Sequence, residues 1–178
     1  MTALILGGAA SGKSEYGERL ALSLPRRGEL LYLATMEPAG GEAEARIRRH
    51  RALRAGKGFQ TWERSRNLAG CPLPEGGTVL LEDLGNLAAN ELFGEGSAGK
   101  AAVSAILDGV DALCAQARDV VIVSNELFSD GEAYAPETLC YLDVLGEINR
   151  TVAQRAHRVI EVVCGIPVIH KNEGERAG

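Results

Sequence analysis

Apolar residues fall along this chain in two rhythms: short unbroken blocks, and longer stretches in which they recur every three or four positions. Residues 2–6 form a block that runs into glycines, as a strand buried on both faces does. Over 14–24, Tyr16, Leu20 and Leu24 keep helical spacing until Pro25 and a short basic turn stop it. The block 29–34 predicts a second strand and 78–81 a short third one. Residues 41–55 are rich in Ala, Glu and Arg, good helix formers, and predict a polar, exposed helix. Over 101–117, Val103, Ile106, Val110 and Leu113 share one side of an amphipathic helix. Residues 119–125 are the clearest buried strand. Pro136 opens a long helix to about residue 156, and 158–164 form another strand. Gly165-Ile166-Pro167 then turns the chain into a short final strand at 168–170.

Strands alternating with helices predict an α/β fold: a mostly parallel sheet with helices on both faces, in one domain spanning 1–178. Residues 94–99 are a flexible loop rather than a domain linker, and there is no internal repeat. Apolar residues make up 46% of the 178 and charged ones 24%, the balance of a globular protein with one core. The longest apolar runs, such as 120–123 and 159–163, are strand-sized and far short of the roughly 20 residues of a membrane span. No basic region precedes an apolar stretch at the N-terminus, so no leader or anchor is expected and a cytoplasmic location is. Cys71, Cys114, Cys140 and Cys164 are too far apart for zinc-ligand spacing. Cys114 and Cys164 lie in apolar segments, where a thiol acts as a small hydrophobe. A net charge of −5 argues against a nucleic-acid partner. One local exception stands out, five arginines within residues 46–54.

The most informative motif follows the first strand: Gly7-Gly8-Ala9-Ala10-Ser11-Gly12-Lys13-Ser14 satisfies G-x-x-x-x-G-K-[ST]. Glycines let backbone N–H groups turn inward and approach phosphates closely. The helix that follows presents its positive end to the anion. Lys13 is expected on the β- and γ-phosphates of a nucleoside triphosphate, and the Ser14 hydroxyl on Mg²⁺. Such a site needs an acid at the end of a neighbouring strand. Glu82, the first acid after the block 78–81, is the candidate, with Asp83 as the alternative.

If 41–55 is helical, Arg46, His50 and Arg54 stack at i, i+4 and i+8, with Arg51 beside them. Such arginines suit phosphate oxygens, and their positive field favours a neutral imidazole able to act as base or nucleophile. Taken alone, a solvated basic helix with an incidental histidine is the commoner outcome. His157 and His170 read as structural or surface residues. From the residues alone, a P-loop kinase for another small metabolite and a nucleotide-dependent regulatory protein remain open alternatives.

Over nearly its whole length the chain resembles the bifunctional adenosylcobinamide kinase/adenosylcobinamide-phosphate guanylyltransferase family. The resemblance is carried by residues 7–14, by Leu31-Tyr32-Leu33-Ala34-Thr35, and by 45–54. It continues through Thr61-Trp62-Glu63, Leu81-Glu82, Asn90-Glu91-Leu92-Phe93, Val123-Ser124-Asn125-Glu126, Gly146-Glu147-Ile148-Asn149, Gly165-Ile166-Pro167 and Lys171. It implies a RecA-like P-loop fold with a short antiparallel C-terminal edge strand. It also implies nucleotide contacts from Ala34, Thr35, Met36, Arg51, Ala52, Leu53, Arg54, Glu63 and Glu82, with His50 as the residue that carries GMP. ATP and GTP are the implied substrates together with a corrinoid, and the implied assembly is a homo-oligomer, a trimer in the family. Ala10 and Leu142 stand where the family commonly has arginine, and Gly85-Asn86 replaces a Thr-rich stretch.

Overall fold

A computed structural model describes residues 1–25, 28–37, 48, 52, 56–127 and 134–173. Their strands are β1 (Thr2–Leu6), β2 (Leu30–Ala34), β3 (Gln60–Glu63), β4 (Thr78–Glu82), β5 (Asp119–Val123), β6 (Arg158–Val163) and β7 (Ile166–Asn172). They form one seven-stranded sheet in the order β3-β2-β4-β5-β1-β6-β7. Every pairing is parallel except β6 with β7, which is antiparallel. The helices are α1 (Lys13–Ser23), α2 (Leu84–Phe93), α3 (Ala102–Gln116) and α4 (Pro136–Arg155).

Alternation along the strands divides the apolar residues between two layers. Ile5, Leu80, Val121, Val123 and Ile160 pack under α1 with Ala21. Leu4, Leu33, Leu81 and Ile122 pack on the other face, against Leu84 and Leu87 of α2, Ile106 and Leu113 of α3, and Leu145 and Ile148 of α4. The central strands β1, β4 and β5 are therefore apolar on both sides, and truncating a leucine there would cost about 2–5 kcal/mol. Helices on both faces of a mostly parallel sheet agree with the expectation.

Gly17 lets α1 lie close on the sheet. A Cβ there would sit 2.8 Å from Val123 Cγ2 and 3.5 Å from Leu80 Cδ1. The helix thereby crosses β5, and its first turn reaches the end of β4. This corrects the expected neighbour relation: the acid-bearing strand is not adjacent to β1, because β5 lies between them.

Other differences have local causes. Helix α2 carries Gly85, Asn86 and Asn90, poor helix formers that hide it from a propensity reading. Its N-terminus is secured by Asp83, whose Oδ1 accepts the Asn86 N–H at 2.6 Å. β3 is a four-residue, mostly exposed edge strand without an apolar signature. β7 has seven residues rather than three, because it pairs along the whole of β6. Cys164 leaves β6 with φ 50 at an exposed turn, so it is not the buried hydrophobe its apolar neighbours suggested. That turn supports the loop after β1: the Gly165 N–H donates to the Ser11 carbonyl at 2.8 Å. Of the expected helix 41–55, Arg48 and Ala52 are helical. The rest of it, with Arg46, His50, Arg51, Leu53 and Arg54, lies outside the described residues.

Candidate nucleotide site

The sheet register assembles the site. Glu63, Ala34, Glu82, Val123 and Ile5 occupy one row across β3, β2, β4, β5 and β1. Residues in one row share a face, so the Glu82 side chain lies on the α1 side with Val123 and Ile5. Strand spacing of about 4.8 Å then separates Glu82 from Ile5 by two strands, or about 10 Å. The loop 7–14 spans that gap.

Gly7 is buried at the base of the loop, where a Cβ would meet Ser11 Oγ at 2.4 Å and the Val162 carbonyl at 2.8 Å. Gly12 caps α1 with φ 90, a left-handed conformation that suits glycine. Ala10 is also left-handed, with φ 55. Ala9, Ala10 and Gly12 form the exposed rim, while Gly8 and Ser11 are half-buried. Lys13, only 9% exposed, donates from Nζ to the Gly8 carbonyl at 3.1 Å and so lies along the inside of the loop.

Ser14, in the first turn of α1, donates its hydroxyl to Glu82 Oε1 at 2.5 Å. Glu82 Oε2 is buried and has no hydrogen-bond partner among the described residues. Burial pushes the Glu82 carboxyl up to about 7; the Ser14 bond and Lys13 oppose the shift, while the negative charges of Asp83 and Glu18 add to it. A carboxylate oxygen lacking a partner beside a hydroxyl fits the hard-oxygen donor set of Mg²⁺. Asp83, by contrast, has both oxygens engaged, by the Asn86 N–H and by Asn125 Nδ2 at 3.3 Å. Glu82 is therefore the acid with an oxygen to spare.

Thr35, fully buried, holds the end of β4 in place. Its hydroxyl donates towards the carbonyls of Glu82 and Asp83 at 3.0 and 2.9 Å and accepts the Asp83 N–H at 2.8 Å. Ala34 and Met36 flank it, half-buried, and Glu63 is exposed on the edge strand. Ala52 is exposed.

A polar chain unforeseen in the sequence extends this corner towards α4. Asn149 Nδ2 donates to the Asn125 carbonyl at 3.1 Å, and Ser124 Oγ donates to Asn149 Oδ1 at 2.7 Å. Ser124 and Asn125, read in the sequence as the end of the strand 119–125, instead follow β5; two polar residues closing an apolar block were the detectable signal. Gly85 belongs to the same cluster, since a Cβ there would lie 2.5 Å from Asn125 Nδ2 and 2.9 Å from the Tyr141 hydroxyl. Burial, with Asp83's charge second, pushes that hydroxyl up to about 12.

A glycine-lined loop between β1 and α1, a lysine inside it and a serine–carboxylate pair at its mouth define a P-loop nucleotide-binding protein. The ATPase domain of G40P has the same fold, with a TM-score of 0.55 at 13% identity over 99% of this chain and 78% of that one. The profile of the cobinamide kinase / cobinamide phosphate guanyltransferase family matches residues 3–169, and the chain belongs to that family. It is 30% identical to the bifunctional adenosylcobalamin biosynthesis protein CobU of Escherichia coli strain K12, over 94% of this chain and 98% of that protein. To the bifunctional adenosylcobalamin biosynthesis protein CobP of Pseudomonas aeruginosa it is 33% identical, over 97% and 99%. No helix among the described residues is long and apolar enough to cross a membrane.

Proposed function

We propose that this enzyme performs two reactions at one nucleotide site. It first transfers the γ-phosphate of ATP or GTP to the hydroxyl on the aminopropanol arm of adenosylcobinamide. It then transfers GMP from GTP, through His50, to the resulting phosphate, giving adenosylcobinamide-GDP. The observation that carries this reading, beside family membership, is the Ser14–Glu82 pair set against the phosphate loop.

In the first reaction the loop amides and Lys13 hold the phosphates in line with the acceptor oxygen and oppose their charge. Ser14 and Glu82 are the residues that would hold Mg²⁺, which when bound neutralises charge on the phosphate oxygens. In the second, His50 attacks the α-phosphorus of GTP and pyrophosphate leaves. A phosphate oxygen of the corrinoid then displaces the imidazole, breaking the P–N bond and restoring the histidine. Arg51, Ala52, Leu53, Arg54, Ala34, Thr35, Met36 and Glu63 are assigned to the nucleotide, as the family resemblance implies. Val163, Ile166, Val168 and Ile169 expose apolar surface on the β6–β7 edge, which supports a homo-oligomer. The test is product analysis with cobinamide, ATP, GTP and Mg²⁺. Cobinamide phosphate and then cobinamide-GDP are expected; absence of both would refute the reading.

A further inference from the structure

A pocket of about 530 Å³ opens beside the phosphate loop on the opposite face of the sheet. Leu6, Gly146, Asn149 and Ala153 line it. Leu6 immediately precedes the loop, and the three α4 residues share one helical side, where two small side chains leave room. Glu126, Asp143, Glu147 and Arg150 line it as well. The last three are exposed at the rim, and the Glu126 N–H donates to the Gly7 carbonyl at 3.1 Å. Asn149 is tied through Asn125 to Asp83, next to the Ser14–Glu82 pair. The pocket therefore abuts the phosphate corner without being part of it.

Its charge decides what it takes. Among the described residues, the exposed rim carries two carboxylates, Asp143 and Glu147, against one guanidinium, Arg150, a balance that repels a triphosphate and favours cations and hydrogen-bond donors. The carboxylates accept from an amide NH₂, and Arg150 donates to an amide carbonyl, so the rim offers both partners a primary carboxamide needs. The volume lies within the roughly 300–1,000 Å³ of small-molecule sites. It suits the arms of a corrinoid rather than its ring.

We propose that this pocket is the acceptor site, taking the aminopropanol arm and adjoining carboxamide arms of a cationic corrinoid. The assignment rests on the function proposed above. Asp143→Asn/Glu147→Gln removes two exposed charges without touching the core or the phosphate loop. The double variant should raise the KM for cobinamide about tenfold, the effect of losing charge-assisted hydrogen bonds. The KM for ATP, and protein labelling by GTP carrying label at its α-phosphate, should stay within about twofold, because neither involves the corrinoid. An unchanged KM for cobinamide would overturn the assignment. A rise in the KM for ATP or a loss of labelling would instead give the pocket to the nucleotide and overturn it equally. If the unmodified protein makes no cobinamide phosphate at all, the functional reading itself has failed, and that result is separate from the other two.

Discussion

The two faces of the sheet's C-terminal edge carry opposite chemistry within a few residues of each other. On the α1 face lie the glycine loop, Lys13 and the Ser14–Glu82 pair, a site for anions and the cation that accompanies them. On the α4 face lies the pocket rimmed by Asp143, Glu147 and Arg150. The period of two along a strand produces the split. Ile5 faces α1, while Leu6 packs towards α4; Glu82 faces α1, while Asp83 turns away to cap α2. Adjacent residues can thus serve a donor and an acceptor on opposite sides of one edge.

The largest effect that tests this division is expected at Lys13. Lys13→Ala should lower both activities by about 10²–10³-fold, the scale for losing a preorganised charge at a phosphoryl site. Binding of cobinamide, followed by its visible absorption, should persist. Loss of cobinamide binding in the variant would merge the two regions into one.

Glu82→Gln keeps the shape and removes the charge. Phosphorylation of cobinamide should fall by about 10²-fold, read from ADP release over a range of Mg²⁺ concentrations. The same substitution has a stability signature without metal. The folded Glu82 holds its proton up to about 7, whereas its ordinary value is 4.5. Between those values the folded protein binds a proton that the unfolded chain has released, so stability falls as pH rises across the window. The fall is on the order of 2–3 kcal/mol, measured by urea unfolding in chelator at pH 5 and pH 8. It should vanish in Glu82→Gln.

Gly85→Val comes next. Its Cβ would crowd Asn125 and Tyr141, at a cost of about 1–3 kcal/mol in unfolding free energy. The smallest effect is expected at an exposed ion pair that lines neither region. Arg155 pairs with Asp111 at 2.7 Å, but the two side chains are 49% and 58% exposed. Arg155→Ala should change stability by less than about 1 kcal/mol and leave both activities unaltered.

The sequence made the phosphate face legible and the acceptor face nearly opaque, for a physical reason. Residues 7–14 are contiguous, and their glycines, lysine and serine each answer a local demand of phosphate binding. Glu82 could be found because a buried apolar block leads directly to it. The strand β5 was plain in the sequence, but its place between β4 and β1 was not, because strand order is set by crossovers and by the close approach of Gly17, which leave no local pattern. The acceptor pocket draws on β1, the segment after β5 and one side of α4, brought together only by folding. Helix α2 was missed because tertiary packing and the Asp83 cap outweigh the poor propensities of Gly85, Asn86 and Asn90.

The claim at the centre of this account is that one P-loop site serves both phosphoryl and guanylyl transfer, the second through His50. The direct measurement is incubation with Mg²⁺ and GTP labelled at its α-phosphate. The account predicts covalent label on the protein that is labile to acid, stable to base and discharged by pyrophosphate. His50→Asn should abolish it while ATP-dependent phosphorylation of cobinamide continues. Absence of label on the unmodified protein, with GTP shown to bind, would contradict the account and leave a kinase alone.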